Sequence, residues 1–467
     1  MGVVGDNALA QQNQKFLRRF FQKAASFFSR GKGCPVTQTL FFRHALLPAG
    51  WASNVRFEIA DGRIAVLETA APAGGEVHDI ALPAMPNLHS HAFQRALAGR
   101  METRGTAEES VWAWRDMVDH AALRLDPDDV ETIATLAFIE MLEGGFGAVA
   151  EFHVLHHAPD GRRYDDIAEM AARLAAAAAT AGISLTLFPV FYAHGGFGGL
   201  PPRPAQRRLL NDLAAYESIL QRCEKLAPVG IAAHSLRAVT LQELDALTRL
   251  AQNRLVHIHI AEQGAEVEDC LAWSGQRPVD LLFRHAKVGP NWCLVHATQA
   301  DAAERQKIAA SGAVVGLCPV TEADRGDGIF PAAKFSGAYG IGSDSNLLIG
   351  AGDELRMLEY AQRLTSRRRN MLANDAHPAT ATALYLRAVA GGAQALGLSA
   401  ALEAGAPANI VTLRGAEPDI ALAQMVFCRG PIDTVWVQGQ KRVTGGHHPL
   451  AAQARRKFSR VVKKFLG

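Results

Sequence analysis

Two histidines, His89 and His91, sit two residues apart at the end of an apolar run that starts at Leu82. If that run is a β-strand, residues i and i+2 share a face, so both imidazoles aim at one point and Ser90 points away. Side-by-side imidazoles repel when both are protonated, and a shared cation is the natural reason to place them together. By itself the pair is a weak signal, but the chain holds more of the same kind. One run carries His257 and His259 and is followed by Glu262; another ends on His296. A third ends on Asp344, within Gly340-Ile341-Gly342-Ser343-Asp344-Ser345. Glu151 with His153, and His234 with Arg237 just beyond it, occupy similar places. Singly, each is more often a hydrogen-bonded core residue than a ligand. Together they are hard to explain by packing, because burying such groups without a cation or partners costs several kcal/mol apiece.

The chemistry this set could do is hydrolytic. A catalytic zinc site needs about three protein ligands and an open position. His89, His91 and His259 supply three neutral nitrogens. Asp344 can be a fourth, weaker ligand whose free oxygen accepts a proton from water, which a divalent cation acidifies towards neutral pH. His296 would hydrogen-bond the attacking water or the developing oxyanion. Glu262, three residues past His259, can carry a proton to a leaving nitrogen. His257 shares the parity of His259 but lies one pleat deeper, so it reads as core or as support. Such equipment suits attack on a carbon bearing nitrogen, with ammonia or an amine leaving. One Zn2+ per subunit is expected; Fe2+ and other divalent ions also suit three imidazoles and a carboxylate.

Strand ends at the mouth of a barrel would bring these groups together. Eight short apolar runs can be read: 84–91, 148–154, 184–192, 230–236, 255–261, 292–297, 313–318 and 338–344. Alanine- and leucine-rich helical stretches, such as 164–181 and 241–252, lie between several of them. Near-continuous apolar strands alternating with helices predict an α/β fold, a parallel (β/α)8 TIM barrel over residues 84–405 with its chemistry at the strands' C-terminal ends. The insert at 100–147 reads as mostly helical. Strand-and-turn patterns before and after the barrel, with an Asp61-Gly62 hairpin turn, predict a small β-sandwich-like domain built from both termini, residues 35–83 plus 406–445. A C-terminal helix is expected within 446–467, where Phe458, Val461, Val462 and Leu466 recur at helical spacing.

Lys and Arg number 48 against 46 Asp and Glu in 467 residues, so no overall field favours nucleic acid or a membrane surface. No run is long and apolar enough to span a bilayer. Six scattered cysteines without a C-x-x-C pair read as reduced thiols of a cytoplasmic protein. Residues 1–34 differ, with one acid, Asp6, against six Lys and Arg and five phenylalanines. A basic amphipathic helix near 13–30 or a transit-like leader is conceivable there. A variable extension with no part in the chemistry is the simpler reading.

The chain resembles the amidohydrolase superfamily: H-x-H on strand one, histidines on strands five and six, an aspartate on strand eight. His234 stands where binuclear members carry a modified lysine, which points to the mononuclear, deaminase-like branch. Asn87–Arg95, Trp112-Ala113-Trp114-Arg115, Glu151-Phe152-His153, His156-His157, His234–Arg237, His259–Gln263 and Gly326–Pro331 are similar to the N-formimino-L-glutamate deiminases of histidine degradation. The resemblance runs from about residue 38 to the end. It implies zinc on His89, His91, His259 and Asp344, and catalytic roles for Glu262, His296 and Asp344. It also implies substrate contacts from Gln94, Arg115, His234 and Arg237, and a homodimer. A small substrate with two carboxylates agrees with two arginine forks. Three departures bear on substrate identity. Val154 stands where the family has a carboxylate-binding tyrosine, a loss of about 1.5–3 kcal/mol of donor strength. The stretch Cys318–Gly326 lacks the second threonine and the asparagine that the family more often has there, and Ser345-Asn346 replaces Ser-His. Another formimino or amidino acid, or a heterocyclic amine, is therefore the alternative substrate. A catalytically silent barrel scaffold is the non-enzyme alternative.

Overall fold

The structure, a computed structural model, describes residues 38–100, 102 and 111–466, with side chains for all of these except 111–116, 465 and 466. The expected helix at 13–30, the rest of the 1–34 extension and the Arg115 side chain lie outside the described residues.

Four strands come first: β1 (Gln38–Leu47), β2 (Gly50–Ala60), β3 (Arg63–Glu68) and β4 (Glu76–Pro83). β2 and β3 form the hairpin expected at Asp61-Gly62. Both turn residues have positive φ, 49° and 75°, which a type I′ turn requires.

Pro83 leads directly into the barrel. Its strands are β5 (Met85–Ser90), β6 (Phe146–His153), β7 (Ser184–Phe191), β8 (Ile231–Ser235), β9 (Val256–Ile260), β10 (Trp292–His296), β11 (Val314–Leu317) and β12 (Tyr339–Ile341). They pair in chain order, each parallel to the next. These are the eight runs expected from the sequence. A strand covered on both faces must be apolar at nearly every position, and β6 and β9 are buried throughout.

The ring closes between its first and last strands. Asp344 N–H donates to the His89 carbonyl at 3.0 Å, and His91 N–H donates to the Asp344 carbonyl at 2.9 Å. Gly342 permits this approach, because a Cβ there would lie 2.8 Å from backbone atoms of His89. Outside the seam, the helix Thr380–Leu396 presses Gly391 and Gly392 against β12 and β5. A Cβ on Gly392 would stand 2.9 Å from the Pro86 carbonyl, and one on Gly391 would fall onto that of Tyr339. Gly391→Ala is expected to destabilise the chain by about 1–3 kcal/mol or more. A melting point within 1 °C of wild type, an order-of-magnitude bound on such a shift, would refute this packing.

Three further strands, β13 (Ile410–Leu413), β14 (Ile432–Val437) and β15 (Gln440–Thr444), join the first four in one sheet, ordered β15-β14-β13-β4-β1-β2-β3. It curls around a core of its own that draws Phe42 from β1, Phe57 from β2, Ile410 from β13 and Trp436 from β14. The 100–147 insert contributes the helices Val111–Ala122 and Pro127–Glu143, the second started by an Asp126/Asp129 capping box. The C-terminal helix Ala451–Leu466 lies along that second helix. Val462 is buried, Lys464 bonds Asp126 and Asp129 at 2.6 and 2.9 Å, and Arg455 bonds Glu143 at 2.7 Å.

Candidate metal centre and substrate pocket

β5, β9, β10 and β12 deliver the polar groups read from the sequence to one buried place. Nitrogens of His89, His91 and His259 all lie within 4.8 Å of one another. His259 Nε2 is 3.0 Å from His89 Nε2. Asp344 Oδ1 is 3.7 Å from His89 Nε2 and 3.6 Å from His91 Nε2.

Protonation decides what these contacts mean. His259 Nδ1 faces the His234 carbonyl at 3.1 Å, so it carries the proton and Nε2 carries the lone pair. Burial, and then the neighbouring histidines, hold His89 and His259 far below the usual imidazole pKa, so both are neutral. Two converging nitrogens this close match an edge of a tetrahedral site, about 3.3 Å for zinc–nitrogen bonds of about 2.05 Å. Both Asp344 oxygens and His296 Nε2 are buried without a hydrogen-bond partner among the described residues. A divalent cation fits this donor set and would satisfy atoms that otherwise have no partner.

His296 stands beside that point. Its Nδ1 meets Glu322 Oε1 at 3.2 Å, and its Nε2 lies 3.6 Å from Glu262 Oε1 and 3.7 Å from Asp344 Oδ2. Burial disfavours its protonated form, yet Glu262, Glu322 and Asp344 raise its pKa to about 9. For Glu262 burial raises the pKa, and His296, Arg325 and Arg237 more than reverse this, leaving it below the usual carboxylate range. Ala261, His296 and Asp344 have φ of 46°, 69° and 41°, a left-handed backbone that costs about 1 kcal/mol or more at each non-glycine residue. Three such residues at neighbouring strand ends mark where the fold gives up backbone comfort to aim side chains.

A pocket opens from this centre. His91, His259 and Glu262 form its floor, with Gln94, His234 and Arg237 on its walls. Gln94 Oε1 and Arg237 Nε are buried and meet no hydrogen-bond partner among the described residues. Val154 lines the pocket as well. The Arg115 backbone lies in the helix Val111–Ala122, whose later residues Val118 and Asp119 reach the pocket wall. His257 is a core residue: it stacks on Phe188, ring centroids 3.7 Å apart, and its Nε2 donates to the Ala395 carbonyl at 3.0 Å.

Sequence reasoning passed over four residues here. Tyr192 follows the last residue of β7, and its phenol oxygen accepts from Gln206 Nε2 at 2.6 Å; both line the pocket. Asking what every strand ends on would have found Tyr192, since the run 184–192 closes with it. Glu322 and Arg325, from the short helix Pro319–Arg325 after β11, reach His296 and Glu262. Cys318 also lies close to His296 and Asp344. Burial, first of all, raises its thiol pKa, which keeps it protonated.

Comparison with known proteins bears on this site. A sequence model of the amidohydrolase family matches residues 80–442. One described as "Formimidoylglutamate deiminase HutF, N-terminal domain" matches residues 37–79. The formimidoylglutamate deiminase of Pseudomonas aeruginosa is 47% identical over 451 residues, spanning 91% of this chain and 99% of that protein. The 8-oxoguanine deaminase of the same organism is 26% identical over 330 residues, 66% of this chain and 71% of that one. Among solved structures, an amidohydrolase from Brucella melitensis superposes with a TM-score of 0.90 at 47% identity, covering 92% of this chain and all of the other. An adenosine deaminase from Xanthomonas campestris with bound zinc shares the fold, with a TM-score of 0.73 at 22% identity over 91% of this chain and 98% of the other.

Proposed function

The chain belongs to the amidohydrolase family, and from that premise we propose that it hydrolyses N-formimino-L-glutamate to N-formyl-L-glutamate and ammonia, a deimination in histidine degradation. It is a hydrolase acting on a C–N bond. The observation that carries the substrate reading is the pocket itself. Three neutral imidazoles converge near the Asp344 carboxylate, two of them at the pocket's floor, and its walls offer donors suited to an acid.

His89, His91, His259 and Asp344 would hold one divalent cation, proposed as zinc. When bound, such an ion supplies Lewis acidity and makes water nucleophilic near neutral pH. Asp344 takes a proton from the attacking water through its second oxygen. His296, protonated at Nε2, donates to the oxygen on which negative charge develops. Glu262, ionised at rest, relays a proton that the attacking water gives up to the departing nitrogen, as Asp344 does with the other, and ammonia leaves. Arg237, His234 and Gln94 hold the substrate's carboxylates, with Arg115 as the further fork the family resemblance supplies. Val154 cannot donate a hydrogen bond, and the Tyr192 phenol is the donor proposed to serve in its place. Tyr192→Phe is then expected to raise KM roughly tenfold with kcat nearly unchanged, as loss of one hydrogen bond to a charged group would. An unchanged KM would remove Tyr192 from substrate binding.

Val154 favours one alternative, the same chemistry on another formimino or amidino acid or on a heterocyclic amine. Ammonia release measured across N-formimino-L-glutamate, N-formimino-L-aspartate and heterocyclic amines separates the two. Silence on both formimino acids rejects the reading preferred here. A catalytically silent scaffold would hold less than about half an equivalent of firmly bound metal, since its site would lack intact ligands. A cytoplasmic homodimer completes the proposal; sedimentation tests the dimer. No described helix is long and apolar enough to cross a membrane, and the described cysteines are free thiols.

A further inference from the structure

The reaction as proposed leaves one buried cation of the pocket without a role. Arg325 closes the short helix after β11, and its side chain is only 6% exposed. One terminal nitrogen donates to Glu262 Oε1 at 2.6 Å. The other donates to Ser345 Oγ at 3.1 Å and lies 3.5 Å from Asp344 Oδ2. Burying a guanidinium is costly, and only well-placed partners repay the cost. The partners here are the two carboxylates assigned to proton transfer.

Glu262 depends on this contact. Among the described residues Arg325 makes the one hydrogen bond to its carboxylate; Arg237 stands 3.7 Å away and His296 3.6 Å. Glu262 leaves β9 and Arg325 follows β11, so the pair braces two mouth segments across β10. A glutamate side chain has three rotatable bonds, and proton transfer needs its oxygen within about 3 Å of the accepting atom. Misplacement by about 1 Å can cost about 100-fold in rate.

We propose that Arg325 is a positioning residue, holding the Glu262 carboxylate in the one orientation from which it can protonate the leaving nitrogen, with Ser345 fixing the guanidinium in turn. This rests on the role given to Glu262 in the proposed function. It separates Arg325 from Arg237, Gln94 and His234, which are assigned to hold substrate.

The test uses the full chain loaded with metal. Arg325→Met is expected to lower kcat about 100-fold, the scale of a misplaced acid–base group. KM should stay within about threefold, and metal per chain should not change. Arg325→Lys should recover about a tenth of wild-type kcat, because an ammonium keeps the charge but not the fork. Ser345→Ala should lower kcat several-fold alone and add nothing in the Arg325→Met background, as expected for coupled residues. A kcat for Arg325→Met close to wild type overturns the proposal. So does a loss confined to KM, which would make Arg325 a substrate anchor, or a loss of metal, which would place its effect at Asp344. If Arg325→Met does not fold, wild-type kcat in both Arg325→Lys and Ser345→Ala overturns it. Should the wild-type chain fail to turn over N-formimino-L-glutamate, the functional reading falls, and crystal structures still decide the role of Arg325. The Glu262 carboxylate must move away from His296 in Arg325→Met or Arg325→Lys, and an unmoved carboxylate ends the proposal.

Discussion

Replacing His259 with alanine is expected to strip the chain of its metal and abolish turnover. Its Nδ1 is committed to the His234 carbonyl, and its Nε2 stands 3.0 Å from that of His89. His257, on the same strand, cannot take its place, because it is turned away onto Phe188 and the Ala395 carbonyl. His89, His91 and Asp344 would then have to hold a cation with two imidazoles rather than three. Bound metal after dialysis against a chelator should fall to about a tenth of an equivalent or less, and kcat/KM by at least about 1,000-fold. Elemental analysis and an ammonia-release assay on one preparation measure both. A variant that keeps a full equivalent of metal and turns over within tenfold of wild type would show that His259 is not a ligand.

Glu262→Gln should separate chemistry from metal binding. Glutamine has nearly the same shape, its amide oxygen can still accept from Arg325, and its only essential loss is the ability to carry a proton. The expected result is a fall of about 1,000-fold in kcat, within the usual range for removing an acid–base group. KM should be little altered and the metal content that of wild type. Full activity in this variant would assign proton transfer to Asp344 and His296 alone. Arg325→Met made on the Glu262→Gln background should then cost little more, because a positioned group that cannot transfer a proton gains nothing from its position.

Much of this architecture was legible in the residues because a parallel barrel imposes a simple pattern. Strands covered on both faces are written as continuous apolar runs, and each of the eight runs became a strand. The H-x-H pair was readable for a related reason: side-chain parity along a strand is local, so His89 and His91 must face the same way. What could not be read depends on contacts between distant segments. Glu262 and Arg325 meet across β10, 63 positions apart in the chain, and no periodicity signals that meeting. Glu322 beneath His296 is hidden for the same reason. Tyr192 was legible, since it closes the apolar run 184–192. Gly391 and Gly392 are set by the close approach of β12 and β5, which no local pattern announces.

The joint between β5 and β12 has one more consequence. Asp344 is tied through its backbone to both His89 and His91, and its carboxylate turns towards the same two imidazoles. The proposed ligands therefore sit on the two staves that meet to close the hoop, and an ion held between them is its rivet. Loading and circularity should then be linked, with the amides of residues 342–346 and 89–91 exchanging faster with solvent in chelator-treated protein than elsewhere in the ring.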